Sequence, residues 1–75
     1  MAAESEGERR ALRHERDRLA RQTAVLADET KRLEGSYDVA ALRLLSERLK
    51  AHQSDLEAYT LALEDFHWRV GPLGD

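Results

Sequence analysis

The chain has 75 residues and a mass of 8.6 kDa, enough for one small domain and too little for a doubly wound sheet, a barrel enzyme or a two-domain clamp. With 36% charged and 41% hydrophobic residues, one Pro, four Gly and no Cys, it fits helices with polar outer faces and excludes disulfides and thiolate metal sites. The net charge of −3 is unevenly spread: residues 8–21 hold six Arg against Glu8, Glu15 and Asp17, whereas residues 22–75 are net acidic. No run approaches the ~18 to 20 consecutive apolar residues of a membrane span, and Met1-Ala2-Ala3-Glu4 lacks a signal peptide's basic-then-apolar layout. A cytoplasmic protein with no membrane contact is therefore expected.

In chain order, Ser5 followed by Glu8 has the spacing of a reciprocal capping box, and Leu12, Leu19, Leu26 and Leu33 then recur every seven residues. This predicts an N-terminal extension over 1–5 and a coiled-coil helix over 6–34. Gly35 suits the left-handed residue after a helix end, and Ser36 or Asp38 suits the cap of the next helix, so 35–38 reads as a turn. A second series, Leu42, Leu49, Leu56 and Leu63 with Val70, predicts a helix over 39–70. Gly71-Pro72 ends it, because proline lacks the amide donor and clashes with the preceding turn; 71–75 is an irregular tail.

So short a turn between two long helices forces them antiparallel. The register follows from arithmetic: Leu12 with Leu63, Leu19 with Leu56, Leu26 with Leu49 and Leu33 with Leu42 all add to 75. Leucine meets leucine four times, and those eight side chains are expected to hold the hairpin. The interleaved layers pair Thr30 with Leu45, Thr23 with His52, Arg16 with Tyr59 and Arg9 with Phe66. The same fold-back lays the Arg-rich first helix beside Glu57, Glu64 and Asp65, so part of its charge is expected to be balanced internally. The fold class is thus all-α, an antiparallel two-helix coiled-coil hairpin.

A lone two-helix seam buries little apolar surface against the backbone entropy of two long helices. Helix two also carries a second stripe, Leu44, Ala51, Ala58, Leu61 and Trp68, which is expected to meet a second chain. The favoured cover is another copy, giving a homodimeric four-helix bundle; the other is a partner protein.

Four constellations invite a chemical reading. Glu64 and His67 have the Glu-x-x-His spacing of a di-iron half-site, with Glu8 a weak third ligand, but a surface pair near a helix end outweighs a metal site, and no cofactor is expected. His52 facing Thr23 reads as a polar layer that fixes register, with a pH-sensitive latch the lesser reading. Arg9 and Arg16, opposite Phe66 and Tyr59, read as packing residues. The rival is nucleic-acid binding, which the three acids and two leucines inside the Arg-rich segment weigh against. Trp68 suits either partner contact or packing of the C-terminal tail, and Tyr37 reads as an anchor of the turn or a contact at the tip.

No Gly-rich phosphate loop, Ser/His/Asp set or Cys nucleophile is present, so an enzyme is not expected. The outline resembles the antiparallel helical hairpins of small bacterial adaptors, secretion chaperones and regulators that bind transcription machinery. That resemblance covers most of the chain, rests only on heptad leucines and a short turn, and transfers no functional residues. The function expected is a non-enzymatic protein-interaction module: a scaffold, adaptor or regulatory binding protein.

Overall fold

A computed structural model describes residues 2–74 as a rod of 54 × 18 × 14 Å. Helix α1 spans Ala2–Arg32 and α2 spans Val39–Arg69, 31 residues each, and they pack against one another as a hairpin. At ~1.5 Å of rise per residue each helix is about 46 Å long, most of the rod.

The helix ends follow local chemistry. Residues 2–5 are helical instead of forming an extension, so Ser5 lies inside α1 and does not cap it; Met1 is outside the described residues. Ala2, Ala3 and Glu4 are strong helix formers, and Gly7 is carried at a cost of roughly 1 kcal/mol. At its other end α1 stops two residues before Glu34. The Leu33 amide still donates to the Glu29 carbonyl at 3.0 Å, but the Glu34 amide donates to Lys31 at 3.3 Å, a tighter turn. Gly35 then reverses the chain at φ +78°, where a side chain would be strained, and Ser36 donates back to the Leu33 carbonyl at 2.9 Å.

Asp38 is the cap of α2, its Oδ1 accepting from the Ala41 amide at 3.1 Å, while Ser36 Oγ accepts from the Asp38 amide at 3.1 Å. Of the two candidate caps, one holds the helix and the other holds the cap. At the far end the Val70 amide donates to the Phe66 carbonyl at 2.8 Å. Gly71 turns the chain away at φ +134°, and residues 71–74 are irregular; Asp75 lies outside the described residues.

Two contacts establish the register. The Arg9 guanidinium carbon sits 5.1 Å from the Phe66 ring centroid, and Thr23 Oγ1 is 2.8 Å from His52 Nε2. Both pairs add to 75, as the leucine spacing requires. The rotation of α2 about its own axis, however, differs from a seam centred on leucine against leucine. In α1 the leucine row is central, with Leu19 and Leu26 buried and Leu12 and Leu33 partly covered. In α2 the deepest row is Leu45, His52, Tyr59 and Phe66, of which only Tyr59 is partly exposed. Leu42, Leu49 and Leu56 are pushed aside and keep 37%, 41% and 39% of their surface. Phe66 and Tyr59 are larger than leucine, and turning them inward removes more apolar area from water.

Candidate interaction surface

The rotation gives the seam two unlike flanks. On an α-helix the residues three and four positions away form the rows on either side of a given row. Three residues after the deepest row of α2 come Arg48, Asp55, Ala62 and Arg69; on the other side lies the leucine row.

The first flank is stitched by charge. Arg69 donates to both carboxylate oxygens of Glu8, at 2.8 and 3.4 Å, and to Asp65 at 2.8 Å; Arg48 takes Glu29 at 2.9 and 3.0 Å. Between them Arg18 bonds Glu15 and reaches Asp55 at 3.5 Å. The hydrogen bond from Arg18 lowers the Glu15 carboxyl below its ordinary range, and Glu8, then Asp65, raises the Arg69 guanidinium. The internal balance therefore exists, but through other residues than expected. Asp65 pairs with Arg69 of its own helix, and neither Glu57 nor Glu64 has an ion pair among the described residues.

The second flank is bare. Leu49 and His52 face the small Thr23, Ala27 and Thr30 across a shallow groove of about 370 Å³. A second groove of about 490 Å³ runs along α2 past Gln53, Leu56, Glu57, Thr60 and Leu61. Thr23, Thr30 and Thr60, which line these grooves, turn their hydroxyls to the carbonyls of Leu19, Leu26 and Leu56. Four residues beyond the leucine row come Ser46, Gln53, Thr60 and His67, all exposed, the first three without an ionisable group.

The open end of the hairpin is tied by Arg9. Its guanidinium lies over Phe66, and Nη1 donates to the carbonyls of Pro72, at 2.8 Å, and Leu73. The ring contact and the two carbonyls hold the tail back over helix α1, the packing role expected of Arg9. Arg16 lines the neighbouring groove with Tyr59, Leu63, Trp68 and the tail. Trp68 nonetheless stays 86% exposed, with its ring edge-on to His67 at 6.3 Å, so the tail passes beside it without covering it. Tyr37 at the tip is almost wholly exposed and anchors nothing in the turn.

His52 forms the expected polar layer, and its hydrogen bonding selects a tautomer. Thr23 has one hydroxyl proton, donated to the Leu19 carbonyl at 2.9 Å, so Oγ1 accepts from His52 Nε2–H. The buried Nδ1 has no partner among the described residues.

The metal candidates are divided. Glu64 and His67 border the groove beside Trp68, whereas Glu8 is held by Arg69 on the stitched flank. Among the described residues no three His, Asp or Glu side chains come together to hold an ion. The interface candidates Leu44, Ala51, Ala58, Leu61 and Trp68 are all exposed; Leu61 shares a groove with Leu56 and Trp68 one with Leu63, while Leu44, Ala51 and Ala58 lie on the side of α2 away from its leucine row. Sequence spacing alone did not single out the bare leucine flank. Its signal is the uncharged row at Ser46, Gln53 and Thr60, where the outer edge of an isolated hairpin would carry charge.

No helix of the described residues is long and apolar enough to cross a membrane. No protein-family model, curated protein or solved structure matches the chain.

Proposed function

We propose that the chain is a non-enzymatic protein-interaction module, a scaffold, adaptor or regulatory binding protein, whose first mode of action is self-association of two hairpins into a four-helix bundle. The observation that supports this is surface area. The chain exposes 5856 Å², whereas a compact folded monomer of 8.6 kDa exposes about 4,700 Å². The excess, roughly 1,100 Å², exceeds the ~800 Å² that each partner contributes to a standard stable interface. Half-exposed leucines along one flank make that excess apolar where it matters.

Smooth helices with shallow grooves suit docking of another helix better than enclosure of a small substrate. The test is mass in solution. Multi-angle light scattering across a concentration series is expected to give twice 8.6 kDa at high concentration, with a melting temperature that rises with concentration. A mass of one chain throughout, with a concentration-independent melt, overturns self-association.

A further inference from the structure

We infer that the second copy docks on the bare leucine flank, with α2 lying antiparallel to α2 of the other hairpin about a twofold axis at Gln53. This rests on the self-association reading and adds the face, orientation and register.

The first support is what the flank lacks. Leu42, Leu49 and Leu56 are half-exposed, and the next row outward, Ser46, Gln53 and Thr60, carries no charge. A second helix approaching there meets uncharged side chains along this row, with Glu57 the charged group that borders the groove. Across the seam α1 presents the small Thr23, Ala27 and Thr30 opposite Leu49, while Arg16 borders the groove beside Leu63.

The second support is charge order. One row further out stand Arg43, Lys50, Glu57 and Glu64, two bases followed by two acids. All four are exposed and none forms an ion pair among the described residues, although most charges on the opposite flank are paired. With the two α2 helices antiparallel about Gln53, Arg43 comes within one residue of the level of Glu64 of the second copy and Lys50 within one residue of its Glu57, on both sides of the axis. Ser46 then meets Thr60 and Gln53 meets itself at the same level, while Leu42 and Leu49 lie within one residue of the levels of Leu63 and Leu56. A parallel pairing would instead oppose each charge to its own kind. Such self-complementarity is what a twofold interface demands of a single surface.

Two measurements test the register. The chain has no cysteine, so Gln53→Cys introduces a single thiol. On the axis the two thiols lie within reach of a disulfide, whose Cα atoms need to be ~4.4 to 6.8 Å apart. Mild oxidation is expected to convert Gln53→Cys to a covalent dimer, while Ala58→Cys, away from the leucine row, stays largely reduced. Separately, Arg43→Glu is expected to weaken dimerisation roughly tenfold, since it places two like-charged pairs in the interface, and Arg43→Glu with Glu64→Arg to restore it to within about twofold. Both positions are exposed, and circular dichroism checks that helicity is kept.

A dimer that cross-links at Ala58 and not at Gln53, or a charge reversal without rescue, overturns this face and register and leaves self-association standing. A single-chain mass at every concentration overturns self-association itself.

Discussion

Along one flank of the seam Glu8, Asp55 and Glu29 meet Arg69, Arg18 and Arg48; along the other, Leu42, Leu49 and Leu56 stand half-exposed beside serine, threonine and glutamine. The same pair of helices generates both. Once α2 turns Phe66 and His52 inward, its two neighbouring rows must take opposite sides, and one of those rows is charged and the other apolar. Ion pairs at half-exposed positions contribute little to stability, each ~0.2 to 1 kcal/mol, but they fix how the helices are aligned. Apolar side chains left in water contribute nothing until something covers them. The stitched flank thus belongs to the hairpin, and the bare flank to whatever the hairpin meets.

The largest expected effect breaks this contrast directly. Replacing Leu49 and Leu56 by Asp is expected to abolish dimerisation, since four leucines leave the interface and about 1 kcal/mol each is lost for half-burial. That amounts to roughly a thousandfold in dimer affinity. The melting temperature should then cease to depend on concentration. An equal pair of changes on the other flank, Asp55→Ala and Arg48→Ala, should leave the dimer intact. If both variants dissociate alike, the flanks do not divide the work as described.

Next in size is the polar layer that separates them. Thr23→Val removes the acceptor of His52 Nε2–H and leaves a buried donor unsatisfied, at a cost of about 1 to 3 kcal/mol in chemical denaturation. Thr23→Val with His52→Leu should recover most of that loss, since both polar partners are then gone. Absence of recovery would mean that the hydrogen bond is not the source of the penalty. Arg9→Ala follows, with about 1 kcal/mol lost from the ring contact and the carbonyl bonds to Pro72 and Leu73. Its distinguishing sign is chemical-shift change at Gly71 and Leu73, with the turn at Gly35 unaffected.

The part of this architecture legible in the sequence is the part that depends on spacing. Leucines every seven residues, Gly35 and Asp38 between the two series, and Gly71-Pro72 after the second determine two helices, a turn and a register, and Arg9–Phe66 and Thr23–His52 meet accordingly. Rotation of α2 is a different kind of information. Its rows at Leu42 and at Leu45 are adjacent and both mainly apolar, so periodicity fits either at the centre; the bulk of Phe66 and the reach of Arg48 and Arg69 to Glu29 and Glu8 decide between them. The start of α1 is illegible for a similar reason, since Ala2 and Ala3 continue a helix without leaving any capping signal. Trp68 shows the converse limit: a large ring in a sequence marks contact surface, but the path of the tail beside it is set by the tertiary hold of Arg9 on Pro72 and Leu73.

The smallest effects lie on the stitched flank. A double-mutant cycle between Glu29 and Arg48 is expected to give about 0.5 kcal/mol, diminishing in salt. Acid should act on the same flank through Glu15. Because Arg18 holds this carboxyl below its ordinary value of 4.5 in the folded chain, the folded state binds the proton less readily than the unfolded one. Its stabilising contribution is therefore complete above the ordinary carboxylate range and is lost as pH falls through the lowered value. Carbon-detected NMR should place the Glu15 midpoint below 4.5 and return it toward that value in Arg18→Ala. Should the Glu15 midpoint stay where it is in Arg18→Ala, the hydrogen bond from Arg18 is not what holds the carboxyl down, and the stitching of this flank fails at that point.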